Sequence, residues 1–537
     1  MGLTPAPINA WPLAWIALAP LWLTLQNPKS PSTSLRAGKL QNSLFLSALW
    51  GLGYHGLALS WITHLHPLMW LGIPWVGSIV ITAFAWAFGS LWGVALVLAW
   101  SSGLTAIQRW VSLTPWARVL VGTSLWCGLE ALWSVGPLYW SSLSYTQSPY
   151  NLAVLHLGQL SGQLTVTAAI VAVNGLLAET IRAWLQTRES PPRPIQAQTA
   201  WSVKPLAGAT LVVLLGVHLI GFSLYRQPLA DTPEAALKVG IIQGNVPTRE
   251  KLSIQGIRQA REKYLQGYQA LAVAGVDAVL TPEGAIPEIW DPFTQQTNLF
   301  YKAVQPNRAA LWLGTFVVAP TENFHITQTL LSVVPGVTEL SQYNKIKLVP
   351  LGEYIPLQSV LGEFISRLSP LDTSMIPGET DQQFQSGFGP AAVGICYDSA
   401  YGWVFRHQVA QGGEFIITAS NNDPYPPRMM AQHHAQDVMR AVETDRWAVR
   451  GTNTGLSGVV NPHGETVWLS TPNQFVTHAD SIYRRQTQTL YVRWGDWVTP
   501  LLLAMSLGWI MLHKQDSYSG QGGRGEGRTR RHGESKP

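Results

Sequence analysis

Long apolar windows and short polar loops alternate along the first 225 residues, and one further apolar window lies close to the C-terminus. Each window has about the 17 to 25 residues that a helix needs to cross a hydrocarbon layer of about 30 Å. The pattern predicts about six membrane spans, a long polar region and one more span. The windows cover roughly residues 10–26, 43–62, 76–100, 117–135, 160–182, 205–225 and 497–513.

The long polar region has a different periodicity, in which short β-branched runs are separated by amphipathic stretches. Strands are predicted at 237–243, 277–280, 310–318, 327–334, 391–395, 415–419 and 447–452, and helices at 257–274 and 428–446. Alternation of this kind indicates an α/β layer domain of about 250 residues. It is flanked by membrane spans on both sides.

Composition supports this division of the chain. Of the 537 residues, 47% are hydrophobic, 12% are charged and 25 are Trp, which is too apolar for an ordinary soluble enzyme. We predict a transmembrane helix bundle at 1–228, an α/β domain at 229–493, a C-terminal transmembrane helix at 494–514 and a disordered tail at 515–537.

The distribution of basic residues predicts the orientation in the membrane. Loops 63–75 and 136–159 contain no Lys or Arg, whereas the intervening loops do, so the former and the α/β domain are expected outside the cytoplasm. The basic tail is then cytoplasmic and lies near anionic lipid; a nucleic-acid arm is the less favoured reading. Seven spans would put Met1 outside, unless an upstream helix is absent from this chain or its start is misassigned.

Cys396 closes the apolar run 391–395, so a thiol is placed where a buried strand should end. A strand end followed by a tight turn exposes a side chain while the sheet fixes its position, which suits a nucleophile. Cys127 lies inside an apolar stretch and is predicted to be a packing residue. Two cysteines in such different settings predict neither a disulfide framework nor a zinc site.

Two further segments contain residue types that thiol chemistry needs. Glu283 directly follows a predicted strand and is enclosed by Pro282 and Pro287, which suits it to accept a proton. A turn glutamate in water is the alternative interpretation of that segment alone. Lys345 and Lys347 alternate along an extended run that leads to Glu353, and one or both lysines could simply be solvated.

Together these segments resemble the nitrilase or carbon-nitrogen hydrolase superfamily, and with the membrane windows the chain resembles the apolipoprotein N-acyltransferase family. The matching residues are Pro282-Glu283 with 285–287, the stretch from 343 to 354, Ile395-Cys396-Tyr397, Leu125-Trp126 with Glu130, and Ser144-Tyr145 with Gln147. The resemblance implies a nitrilase-like αββα sandwich inserted between transmembrane helices. It covers nearly the whole chain except the tail.

Carried over by position, the resemblance makes Cys396 the nucleophile, Glu283 the general base and Lys345 the cation that stabilises the oxyanion. Glu353 would orient Lys345, and Tyr397 would pack or hydrogen-bond beside the thiol. Physical chemistry agrees, because a lysine beside a thiol favours the thiolate and meets the charge that develops on the attacked carbonyl.

The implied reaction moves an acyl chain from a phospholipid, through a cysteine thioester, to the α-amine of an N-terminal diacylglyceryl-cysteine of a lipoprotein. The partners would be phospholipid, lipoprotein and the membrane, without nucleic acid. The protein would be a multi-pass protein of a bacterial inner membrane, with the catalytic domain on the periplasmic side and the C-terminus in the cytoplasm.

Two departures from the family pattern affect the expected site. Asp398 stands where the family usually has Glu, and its side chain reaches one methylene less far toward the partner of that Glu. After Asn421 the family has a mobile arm of different composition, whereas this chain has a Pro-rich run at 424–427, which is expected to be stiffer.

The remaining polar residues suggest less. Glu130 within the fourth window needs a polar cavity or a partner, and a structural role is at least as plausible as substrate contact. Adjacent His433 and His434 point to different faces of a helix, so we predict a solvated surface and no metal. No Gly-rich phosphate loop is present, so no cofactor is predicted. A membrane-tethered amidase and a non-enzymatic transporter or receptor remain alternatives.

Overall fold

The computed structural model describes residues 1–25, 33–136, 138–189, 202–320, 324–350, 352–354, 375–423 and 425–522, with the side chains of 33–40, 189 and 514–522 left out of the description. Eight α-helices precede the α/β domain in the described residues. They are α1 (Ala19–Thr24), α2 (Thr33–Gly51), α3 (Trp75–Trp110), α4 (Pro115–Trp133), α5 (Leu152–Leu155), α6 (Gly158–Ser161), α7 (Gln163–Glu189) and α8 (Val203–Tyr225).

Three of the described helices, α3, α7 and α8, are both long and apolar enough to cross a membrane. They correspond to three of the predicted windows. The first window is not one span: it contains a 3-10 helix at Trp11–Trp15 and the short helix α1. The second window is also divided, because α2 passes into a π-helical turn at Leu52–Gly56 and a 3-10 helix at Ser60–Leu65 follows.

A buried amide explains why the first window does not form a continuous helix. The Oδ1 atom of Asn174 in α7 accepts hydrogen bonds from the backbone N–H groups of Leu18 and Ala19, at 2.9 and 3.0 Å. Its Nδ2 donates to the carbonyl of Ala14 at 2.9 Å. The chain can break at this point in an apolar environment because a side chain satisfies the freed backbone groups.

The α/β domain contains two mixed sheets. The first has the strand order β13-β1-β2-β4-β5-β6, with β3 paired to β4, and the second has the order β12-β11-β10-β9-β8-β7. The strands are β1 (Ala236–Gln243), β2 (Ala278–Leu280), β3 (Ile289–Trp290), β4 (Ala310–Val318), β5 (Ile326–Val333), β6 (Ser341–Asn344), β7 (Phe384–Gln385), β8 (Pro390–Ile395), β9 (Ile416–Ser420), β10 (Ala448–Thr452), β11 (Gly458–Val460), β12 (Thr466–Leu469) and β13 (Val476–Tyr483).

The two sheets pack face to face, with Trp312 of β4 against Phe415, the residue before β9, at a ring distance of 5.7 Å. Helix α10 (Ile254–Val273) contacts β1, β2 and β13 on one outer face. On the other outer face lie α12 (Gly402–Ala410), which contacts β8, and α13 (Pro427–Thr444), which contacts β10 and β11. The predicted αββα sandwich is therefore confirmed.

Short helices complete the described chain: α9 (Thr248–Lys251), α11 (Leu299–Val304) and α14 (Leu490–Trp494). The last helix, α15 (Val498–Gly522), runs eight residues beyond the predicted end of the final span at 514. The rest of the predicted tail, from 523 to 537, lies outside the described residues.

Candidate active site

Cys396 lies at the carboxyl end of β8, as the sequence predicts. It begins a 3-10 turn, Cys396–Ala400, and has a φ of 50°, which is left-handed and unusual for a residue with a side chain. Such a conformation costs on the order of 1–2 kcal/mol and persists only where surrounding contacts hold it. The sharp reversal turns the thiol out of the strand direction at the sheet edge.

Two side chains hold this turn. The imidazole of His433 donates from Nε2 to the carbonyl of Cys396 at 2.8 Å, while its Nδ1 accepts from Asn422 at 3.0 Å. The carboxylate of Asp398 accepts from the backbone N–H of Ile395 at 2.9 Å and from that of Lys347 at 2.7 Å. Asp398 therefore reaches partners on both sides of the thiol turn despite being shorter than glutamate.

Glu283 lies on the turn that follows β2, against β4. The backbone N–H of Ile286 donates to the carbonyl of Gly314 at 3.1 Å, and a Cβ at Gly314 would lie 1.9 Å from the carbonyl oxygen of Pro282. Only glycine permits this approach. The Glu283 side chain is 7% exposed, and its Oε2 accepts from the backbone N–H of Asn421 at 2.8 Å. The alternative of a turn glutamate in water is thus wrong.

Lys345 follows β6 and lies between two carboxylates. Its Nζ donates to Oε1 of Glu283 at 2.8 Å and to Oε1 of Glu353 at 2.5 Å. Burial alone would lower the pKa of Lys345, but the charges of Glu283 and Glu353 outweigh it and raise that pKa. The amine is therefore an ammonium over the whole physiological range. Lys347, in contrast, is half-buried, with its Nζ 4.7 Å from the ring centre of Tyr401.

The resting thiol differs from the expectation that a neighbouring lysine favours the thiolate. Burial raises the pKa of Cys396, the charge of Glu283 raises it further, and Lys345 only partly opposes them. The sulfur is therefore protonated at neutral pH. Chemistry at Cys396 therefore requires a proton acceptor, and Glu283 lines the same cavity as the thiol.

Cys396, Glu283 and Glu353 line one cavity of about 350 Å³. The rest of its wall is mainly apolar and comes from two parts of the molecule: the α/β domain and the N-terminal helical region, residues 1–225, which is the membrane half. The membrane half contributes Trp61, Ile62, Leu65, Leu68, Trp70, Leu71, Ile81, Phe84, Ala85, Phe88 and Leu138, among others. A cavity of this size with a few convergent polar groups is typical of a small-molecule site.

The other predicted residue, Tyr397, points to the membrane half. Its hydroxyl accepts from the backbone N–H of Tyr139 at 2.8 Å, and its ring stacks on Trp140 at 6.2 Å. The Tyr139 hydroxyl in turn donates to Glu130 at 3.3 Å, which also accepts from Trp126 at 3.0 Å. Glu130 is thus hydrogen-bonded inside the membrane half, and it also lines a smaller cavity there.

The Pro-rich run packs against the same half. The ring of Tyr425 meets Trp61 edge to face at 5.2 Å. Pro424 lies outside the described residues, so the stiffness of the whole run stays a prediction. Tyr425 also lines the cavity that holds Cys396.

The prediction of a solvated surface at His433 and His434 is wrong. Both side chains are buried, at 0% and 5% exposure. Helix α13 is enclosed because one face packs on the sheet and another meets the membrane half, where Gln432 accepts from the indole of Trp140 at 2.7 Å. Among the described residues, no cluster of three or more His, Cys, Asp or Glu could hold a metal ion.

Sequence reasoning missed Lys251, which lines the cavity, and the role of the Asn421 backbone. The order of the predicted strands contains a signal for both residues. Strands β1 and β2 are parallel, as are β8 and β9, so the residues after them meet at one edge of each sheet. Residues after β1 and β9 therefore fall beside those after β2 and β8, where Glu283 and Cys396 lie.

The fold and the site define a carbon-nitrogen hydrolase domain joined to membrane helices. The model of the carbon-nitrogen hydrolase family matches residues 238–478. The model of the apolipoprotein N-acyltransferase N-terminal domain matches residues 1–176. The chain belongs to the apolipoprotein N-acyltransferase family.

Curated relatives support this assignment over nearly the full length. The apolipoprotein N-acyltransferase of Nostoc sp. strain PCC 7120 is 49% identical, with 95% of this chain and 97% of the relative covered. That of Synechocystis sp. strain PCC 6803 is 43% identical, with 95% and 98% covered. Among solved structures, Nit3 of Saccharomyces cerevisiae, a nitrilase-superfamily protein, is 15% identical at a TM-score of 0.34, covering 48% of this chain and 92% of that one.

Proposed function

We propose that this protein transfers an acyl chain from a phospholipid to the N-terminal amine of a diacylglyceryl lipoprotein, with Cys396 as nucleophile, Glu283 as general base and Lys345 as oxyanion-stabilising cation. Glu353 orients Lys345. The observation that carries the proposal is the shared cavity, in which a buried thiol and two carboxylates meet an apolar wall from membrane helices. A soluble amidase substrate has no need of such a wall.

In the first half-reaction the Glu283 carboxylate takes the proton of the Cys396 thiol, and the sulfur attacks the ester carbonyl of the phospholipid. The negative charge that develops on the carbonyl oxygen is stabilised by the Lys345 ammonium. The ester C–O bond then breaks. Glu283 returns its proton to the leaving glycerol oxygen, so lysophospholipid departs and a thioester remains.

In the second half-reaction the neutral amine of the diacylglyceryl-cysteine attacks the thioester carbonyl. Glu283 accepts one proton from the attacking nitrogen, and Lys345 again faces the oxyanion. The C–S bond breaks, and the proton passes to the departing sulfur. The products are an amide on the lipoprotein and the original thiol, so protons and charges balance over one cycle.

Because the site is buried, a group within it must remove the proton of the thiol. A thiol whose pKa is raised by burial and by Glu283 is a poor nucleophile until its proton is removed. Glu283 is held by the Asn421 N–H on one oxygen and by Lys345 on the other. A fixed carboxylate beside a neutral thiol suits proton transfer within a preorganised site.

The apolar wall supports a lipid substrate that enters from the bilayer. Extracting an acyl chain into water would cost about 0.8 kcal/mol for each methylene group. Phe84, Ala85 and Phe88 on α3 bring apolar surface from a membrane-length helix directly to the cavity. The basic-loop pattern favours a periplasmic catalytic domain and a cytoplasmic C-terminus.

The test incubates the purified full chain in detergent with phospholipid alone, and identifies adducts by mass spectrometry. An acyl group on Cys396, absent in C396S and retained in C127S, is expected. A diacylglyceryl-cysteine peptide should then discharge the adduct and gain one acyl chain. Free fatty acid without peptide acylation would favour the tethered amidase, and full function of C396S would favour a transporter or receptor.

A further inference from the structure

A second lysine in the cavity has no part in the chemistry above. Lys251 ends the one-turn helix α9, after β1, and is only 3% exposed. It lines the cavity together with Cys396 and Glu283. The first residue of its helix is anchored beside the cavity, because Thr248 donates its backbone N–H to Asp423 at 2.8 Å and accepts from the Asn421 side chain at 3.0 Å.

The hydrogen bonds of Lys251 leave most of its donors unused. Within the described part of the chain, its Nζ donates one long hydrogen bond, 3.4 Å, to the backbone carbonyl of Glu283 and forms no ion pair. An ammonium carries three donors, and a buried charge is costly unless it is paired. Lys345 differs, since two carboxylates already balance it.

We infer that Lys251 binds the phosphate of the phospholipid donor and thereby selects a glycerophospholipid over a neutral acyl ester. The inference rests on the proposed function. A phosphodiester presents several acceptor oxygens and one negative charge, which match a buried ammonium with unused donors. Its place near the carbonyl of Glu283 puts the phosphate beside the general base, where the glycerol oxygen leaves.

The protonation state of Lys251 is consistent with reversible binding. Burial lowers its pKa to about 8, while Glu283 and Asp423 oppose this shift. The amine is therefore still mostly charged at neutral pH. A phosphate that binds beside the ammonium stabilises its charge further. When the lysophospholipid leaves, the ammonium is available to the next donor.

The test compares two acyl donors with identical chains, a phospholipid and a diacylglycerol, by the rate at which each forms the Cys396 adduct. In the wild type, the phospholipid should be preferred. K251M should lower the phospholipid rate by roughly 10- to 100-fold, the loss expected for a charged hydrogen bond, and leave the diacylglycerol rate nearly unchanged. K251R, which keeps the charge, should retain most of the preference.

Lys263 provides a matched control, because its Nζ also donates to backbone carbonyls, those of Gly244 and Asn245 at 3.4 and 3.2 Å, but it does not line the cavity. K263M should keep the donor preference. Equal loss of both rates in K251M, or no loss of either, would overturn the inference. Absence of any adduct in the wild type would instead overturn the proposed function.

Discussion

The hydroxyl of Tyr397 and the backbone of Tyr139 exchange two hydrogen bonds: the hydroxyl accepts from the N–H at 2.8 Å and donates to the carbonyl at 3.2 Å. These residues are 258 positions apart in the chain. The residue after the candidate nucleophile is therefore fastened to the membrane half. The geometry of the thiol depends on the helices as well as on the α/β domain.

Replacing Tyr397 by Phe should weaken this connection. The variant leaves the buried N–H of Tyr139 without its partner, so the free energy of unfolding should fall by about 1–3 kcal/mol. Adduct formation on Cys396 should slow on the order of 10-fold, because the turn is less well positioned. Thermal unfolding in detergent and mass spectrometry measure the two effects.

Y268F is the control for that variant. The Tyr268 hydroxyl donates to the carbonyl of Ala309 at 2.7 Å, inside the α/β domain and away from the membrane half. It should lower the Tm without slowing acylation. If both variants slow acylation equally at matched stability, the connection to Tyr139 has no special role.

Substituting Gln for Glu283 should remove the proposed proton acceptor while preserving the side-chain shape. Acylation of Cys396 should fall by about 10²- to 10⁴-fold, the usual contribution of a general base. E288Q is the control, because Glu288 pairs with Arg261 on the surface and does not line the cavity. Retention of the full acylation rate in E283Q would remove Glu283 from the mechanism.

The sequence predicts local features of this fold well where local physics decides them. The β-branched run at 310–318 forms a strand with those same bounds, and Cys396 follows a strand as expected. Strands of this kind are determined by the pattern of adjacent residues. Residues that follow adjacent parallel strands are then expected to lie close together at one edge of the sheet.

Features that depend on contact between the two halves were not predictable in this way. His433 is buried between the thiol turn and the ring of Trp140 in the membrane half, and hydropathy along α13 encodes neither neighbour. Likewise, the break near Leu18 depends on Asn174, more than 150 residues away. Pattern analysis of one segment cannot detect a partner so distant in sequence.

Asp398 should make stability depend on pH. Burial raises its pKa to about 6, despite the hydrogen bonds that it accepts. A raised pKa means that the folded state favours the protonated form, so the stabilising contribution is complete below about pH 3.9, where an unfolded aspartate titrates. It is lost as the pH rises through about 6.

D398N carries no such charge and isolates this contribution. The difference in unfolding free energy, wild type minus D398N, should decrease by up to about 3 kcal/mol between about pH 4 and pH 6 and then stay constant. Denaturation of both proteins over this range measures it. A difference that increases with pH would show that the ionised carboxylate is the form stabilised by folding.

Narrowing the cavity at its apolar wall should change the length of acyl chain that the protein accepts. Ala85 of α3 lines the cavity, and A85F places a ring into it. Donors with long chains should lose at least about 10-fold in acylation rate, whereas short-chain donors should be nearly unaffected. Ala83, on the same helix, is exposed and does not line the cavity, so A83F should preserve the preference for chain length.

Lys251 should give donor selection its own pH dependence. Burial lowers its pKa to about 8, so the ammonium that would hold a phosphate is present below that pH and lost above it. The ratio of kcat/KM for phospholipid over diacylglycerol reports the free enzyme, and it should decline as the pH rises from about 7 to 9. The ratio cancels the titration of Cys396, because both donors use the same thiol. In K251R the guanidinium stays charged, and the ratio should be flat over this range. A decline that persists in K251R would place the titrating group elsewhere in the cavity.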